Sequence, residues 1–249
     1  MPINTRSRYR GSLLLPSVTP GVKWLLIANI GIWVLDLICA LSGYDGIFSP
    51  FRLTPLDVVR RLEIWQLVTY MFLHSVTSPM HILFNMLALW MFGSEIERTW
   101  GTREFIKFYF VCGIGAGVCV VIIALLFGQG AISTIGASGA IYGLLLAFGL
   151  LFPDTTVLLI IFPIKAKYLV IIMGALALYF SVSGGNSGVS NVAHLGGLLV
   201  GFVYMKLPHT RMPALDLGRR YEQWKLQRAR RKFQVYMRKQ DSKREPWVH

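Results

Sequence analysis

Residues 136–152 read GASGAIYGLLLAFGLLF, and the reading of this stretch decides the fold. It is 17 residues long and uncharged, and only Ser138 and Tyr142 carry a polar side-chain group. A segment without a polar face has no side to offer to water, so it belongs in a packed core or in a bilayer. Its neighbours choose the bilayer. Comparable apolar runs occupy 22–41, 80–96, 105–127, 168–182 and 191–207. Twenty helical residues cross a hydrocarbon core of about 30 Å, and the shorter runs lie near the lower limit of spanning length. Of the 249 residues, 54% are hydrophobic and 15% are charged, whereas a soluble domain carries about 25% charged residues. The mean hydropathy of +0.54 agrees. Run 22–41 starts too late and continues too long for a signal peptide, so it reads as a retained helix.

The net charge of +13 would suit a nucleic-acid binder, but its distribution argues against one. Basic residues crowd the two ends: residues 1–23 hold four and no acid, and residues 208–249 hold twelve against four acids. Between the runs, Arg98, Arg103 and Lys107 flank one connection and Lys165 and Lys167 another, while 128–135 and 183–190 are uncharged. Lys and Arg mark the cytoplasmic side, so six spans with both termini in the cytoplasm are expected. The chain divides into a cytoplasmic arm (1–21), a six-span body (22–207) and a basic cytoplasmic tail (208–249). Residues 42–79 form a long outer connection rich in aromatic and apolar side chains, suited to the membrane interface. The short apolar stretch 157–162 also reads as a membrane-surface segment. Cys39, Cys112 and Cys119 all lie in apolar runs without a CxxC spacing, which argues against a disulfide framework or a zinc site.

Polar side chains within spans are costly and often functional. The three spans that enter from the outer side carry them in their first turns. His81 and Asn85 are four residues apart and share a helix face, as do Ser138 and Tyr142; His194 opens the sixth span. All five belong at a similar depth below the outer surface and describe a site facing the bundle interior. Asn29 reads as a helix contact, and Asp36 is assigned to the outer interface or a loop partner. Gly136, Gly139 and Gly143 in the fourth span, and Ala193, Gly197 and Gly201 in the sixth, form stripes of small residues that permit close helix approach. Such an approach would bring the Ser138 hydroxyl within reach of the His194 imidazole, which can act as its base.

These residues carry a recognisable pattern. The chain resembles the rhomboid family of intramembrane serine proteases, through HILFN at 81–85, GSEIERTWG at 93–101, GASG at 136–139 and AHLGG at 193–197. The likeness covers roughly residues 20–207. It implies an all-α membrane protein: a six-transmembrane-helix bundle with a membrane-embedded loop after the first helix. It also implies Ser138 as nucleophile and His194 as general base, a dyad without an aspartate. By the same likeness His81 and Asn85 face the oxyanion, Tyr142 packs on the catalytic imidazole, and Gly136 leaves room beside the serine. His74 resembles a structural loop histidine. One departure stands out: Trp65 is followed by Gln66, where the family usually has arginine.

The implied activity is hydrolysis of peptide bonds in or beside a substrate's transmembrane segment, with no cofactor and no metal. The expected partners are membrane-protein substrates and lipids, not nucleic acid. The expected location is a bacterial inner membrane. The alternative is a non-proteolytic relative that binds single-span clients; such relatives lose the serine or the histidine, and this chain keeps both.

Overall fold

The computed structural model describes residues 16–44, 46–159, 162–183 and 188–207. Residues 1–15 and the tail 208–249, with their basic clusters, lie outside the described residues. The first long helix, α1 (Pro20–Leu41), is followed by two short helices, α2 (Pro55–Arg60) and α3 (Gln66–Thr69). Then come α4 (Pro79–Ala88), a π-helical turn over Leu89–Gly93, and α5 (Ser94–Trp100), which together run as one helix. Helix α6 (Thr102–Leu126), α7 (Ser138–Leu151), α8 (Ala166–Ser183) and α9 (Gly188–Lys206) complete the bundle. Among the described residues, three helices, α1, α6 and α8, are long and apolar enough to cross a membrane. Helix α7 is apolar but shorter, at 14 residues.

Among the described residues, α7 and α8 are joined by an antiparallel hairpin, β1 (Thr156–Leu159) with β2 (Phe162–Lys165), in which Val157 pairs with Ile164. The two ends of the apolar stretch 157–162 therefore lie in the strands of this hairpin. Its Val-, Leu- and Ile-rich sequence favours extended backbone once Pro153 has ended the preceding helix. Asp36 is buried, at 7% exposure.

Helix α6 is the central post. Phe105, Phe108, Tyr109, Cys112 and Ala116 along it are fully buried, and it packs against α7 and α9. The 93–101 motif closes the opposite end. Thr19, at the α1 N-cap, makes no capping bond to its own helix. Instead the Glu97 carboxylate, brought from α5, accepts the Gly21 and Val22 backbone N–H groups at 2.8 and 2.9 Å. It also accepts the Thr19 and Thr102 hydroxyls. A carboxylate there satisfies orphan amides and meets the positive end of the α1 dipole. Gly93 leaves room for Val22, and Gly101 turns the chain into α6 at φ +83°.

Burial pushes the Glu97 carboxyl up, but its four hydrogen bonds outweigh burial and hold it below the ordinary 4.5. A depressed folded-state value stabilises the fold above pH 4.5 and loses that contribution as pH falls through the lower value. Glu97→Ala should therefore cost at least about 2 kcal/mol in detergent unfolding at neutral pH. Glu97→Gln should flatten the acid side of the stability curve. An unchanged midpoint in Glu97→Ala would mean that another contact secures α1.

The 42–79 connection is a folded cap. Gln66 is buried and anchors it: Oε1 accepts the Thr54 N–H at 2.8 Å, while Nε2 donates to Glu63 at 2.6 Å and to the Pro50 carbonyl at 3.4 Å. The amide both donates and accepts, so this loop is held without the arginine usual in the resembling family. Leu53 pairs with Thr134, and Leu56 N–H donates to the Gly130 carbonyl. The cap is thereby tied to the loop that leads into α7.

Candidate active site

Ser138 is the first residue of α7, and His194 lies in the second turn of α9, which starts at Gly188, ahead of the apolar run. The two helices meet along their small residues. A Cβ on Gly201 would lie 3.1 Å from Gly143 Cα, and one on Gly139 would lie 3.4 Å from the Ala193 carbonyl oxygen. A Cβ on Gly197 would collide with the Gly139 carbonyl. At this separation Ser138 Oγ lies 2.9 Å from His194 Nε2. The Tyr142 ring, one turn further along α7, stacks on the imidazole with centroids 4.3 Å apart and planes 2° from parallel. His194 Nδ1 is buried and has no hydrogen-bond partner among the described residues. No carboxylate orients this imidazole from that nitrogen; the tyrosine face does so by packing.

The second group of residues builds the turn before Ser138. Gly136 does not belong to the α7 stripe: it precedes the helix with φ +124°, a conformation open to glycine. A Cβ there would lie 2.9 Å from His81 Nε2, and 3.9 Å from the Ser138 backbone nitrogen. His81 Nδ1 accepts the Ser75 N–H at 3.3 Å, so in the neutral ring Nε2 carries the proton and points a donor toward this turn. His74 packs on His81 with centroids 5.2 Å apart. Burial, and then the neighbouring His81, lower the His74 imidazole to about 4, so it is neutral at ordinary pH. Asn85 is 7% exposed; its Nδ2 donates to the His81 carbonyl at 2.7 Å, which leaves its second amide hydrogen.

Thus the fold gathers Ser138, His194 and Tyr142, and it sets His81 beside Gly136 at the same turn. Sequence reasoning missed Tyr70, whose backbone carbonyl accepts the Gly136 N–H at 2.9 Å. It also missed Ser75, whose carbonyl accepts the Trp33 indole at 3.2 Å. Backbone roles leave no residue-type signature, so neither was legible. No three His, Cys, Asp or Glu side chains converge as metal ligands among the described residues.

Residues 61–210 match the family model described as a rhomboid domain. RHOMBOID-like protein 1 of Arabidopsis thaliana is 33% identical over 61% of the chain and 37% of its own length. Rhomboid protease GluP of Bacillus subtilis is 33% identical over 59% of the chain and 26% of its own length. Rhomboid protease AarA of Providencia stuartii is 25% identical over 84% of the chain and 79% of its own length. The chain thus spans about a quarter to two fifths of the first two relatives and most of the third.

Proposed function

Because this chain belongs to the rhomboid family, we propose that it is an intramembrane serine endopeptidase acting through Ser138 and His194. The observation that carries this reading is the 2.9 Å approach of Ser138 Oγ to His194 Nε2. Neutral His194 takes the serine proton on Nε2 as Oγ bonds to the substrate carbonyl carbon. The carbonyl π electrons move to oxygen. Collapse of the tetrahedral adduct breaks the C–N bond, and His194 returns the proton to the departing amine. Water then attacks the acyl ester, losing its proton to His194. The second collapse breaks the Oγ–C bond, and Oγ regains that proton.

The oxyanion needs donors that are already in place. Ser138 opens α7, so its backbone N–H is among those left unpaired by the helix. His81 Nε2–H and the second Asn85 amide hydrogen are the side-chain donors in this reading. Asn85→Ala should slow turnover by about 100-fold while changing KM much less, since the bond strengthens in the transition state. An unchanged kcat with a raised KM would move Asn85 to substrate binding.

The proposed membrane arrangement has six spans with both termini cytoplasmic, and the protease body is 22–207. Helix α7 rises only about 21 Å, less than the hydrocarbon thickness of about 30 Å. With its cytoplasmic end at the membrane surface, as this reading has it, α7 would stop short of the outer surface, and Ser138 would lie below that surface with water entering from outside. The proposed substrates are transmembrane segments with helix-weakening residues near the outer face, because a helical amide is wrapped by its neighbours. A small residue should precede the cleaved bond, since glycine and alanine surround Ser138.

A fluorophosphonate probe tests the nucleophile. Purified protein in detergent should be labelled on Ser138, as read by peptide mass spectrometry. Labelling on a different serine, or none under conditions in which the protein is folded, would overturn the assignment.

A further inference from the structure

Tyr70 lies outside the residues assigned to the chemistry, yet it bonds both the turn before Ser138 and helix α6. It is 1% exposed and stands in the short 3₁₀ turn Tyr70–Phe72 that follows α3. Its carbonyl accepts the Gly136 N–H at 2.9 Å, in the turn that leads into Ser138. At the far end of the same residue, the phenol donates to the Gly113 carbonyl of α6 at 2.7 Å. The ring fills space opened by glycines. A Cβ on Gly117 would lie 3.2 Å from the ring edge, and one on Gly139 would lie 3.4 Å from the hydroxyl oxygen.

We propose that Tyr70 is a positioning residue, whose hydroxyl fixes its own carbonyl to α6 and thereby holds the Gly136 turn and the Ser138 backbone N–H in register for the oxyanion. The physical argument is leverage. Gly136 has the widest backbone freedom of any residue type, and its φ of +124° persists only if its neighbours hold it. The bond from the Gly136 N–H to Tyr70 is one such hold, but a carbonyl in a short loop turn is no more rigid than the loop. The phenol transfers the rigidity of α6 to that carbonyl. Gly139, immediately after Ser138, closes over the same hydroxyl, so loop, central post and opening turn of α7 meet at one side chain.

This inference rests on Ser138 being the nucleophile. Tyr70→Phe removes the hydroxyl alone and keeps the ring. In the full chain in detergent, it should lower kcat for a single-span substrate by about 10- to 100-fold, the scale of a small misplacement at a reacting centre. KM should stay within about twofold, because the substrate-facing groups remain and only transition-state stabilisation is lost. The rate of fluorophosphonate labelling at Ser138 should fall in parallel. Val22→Ala, a buried truncation at the α1 N-terminus beside Gly93, controls for stability. It should lower the unfolding midpoint without lowering kcat per folded molecule. Unchanged kcat in Tyr70→Phe, or a loss no greater than its unfolded fraction accounts for, would overturn the proposal. Failure of the nucleophile assignment is read separately: the unaltered enzyme would be labelled elsewhere, and the role of Tyr70 would fall with it.

Discussion

Ser138→Ala and His194→Ala should each reduce kcat for cleavage of a single-span substrate by roughly 10⁴-fold or more, the scale seen when one member of a serine–base pair is removed. The two losses should not add in the double variant, since an unactivated serine and an absent serine leave the same residual catalysis from binding and oxyanion donors. The fold should survive Ser138→Ala, because the lost hydroxyl fills no core and its main partner is His194. His194→Ala also removes the ring stacked on Tyr142, so a lower unfolding midpoint is expected there. The measurement is cleavage by equal amounts of folded protein in detergent or liposomes, with both unfolding midpoints recorded. Full turnover by purified Ser138→Ala would end the assignment.

The largest structural effect should come from Gly197→Val. A Cβ at this position would overlap the Gly139 carbonyl, and backbone cannot step aside as a flexible side chain can. Helices α7 and α9 would have to separate, which costs more than about 3 kcal/mol, the upper end of ordinary overpacking. Separation also breaks the 2.9 Å contact between Ser138 and His194, so activity should disappear together with stability. Gly31→Ala is the matched control. Gly31 lies in α1, with nothing within 4 Å of the position a Cβ would take. There the added methyl should be neutral or stabilise by about 0.5–1 kcal/mol, because alanine favours helix over glycine. A Gly197→Val protein with an unchanged unfolding midpoint would show that the close contact is not required.

Much of this protein was written in local sequence. The apolar runs, the basic ends and the uncharged loops marked a membrane chain, because water and lipid sort side chains one by one along the sequence. Small residues three or four apart announced where α7 and α9 touch, since helical periodicity puts them on one face. Those stripes, with GASG and AHLGG, point to Ser138 and His194, and the fold brings the two into contact. The tertiary structure decided what periodicity cannot carry. Gly136, which matched the stripe by spacing, lies outside the helix and makes room for His81. Gln66, an apparent departure, secures the cap through bonds to Pro50, Thr54 and Glu63. Glu97 caps a helix that begins 77 positions earlier, at Pro20. Val157 and its neighbours to Leu159 pair with Phe162–Lys165 in a hairpin, and Tyr70 joins three separate segments. The hairpin and Gln66 find their partners nearby along the chain, but Glu97, Gly136 and Tyr70 each depend on a group far away along it. Such partners are chosen by the need to satisfy buried hydrogen bonds once the helices have packed, and that need exists only in the folded molecule.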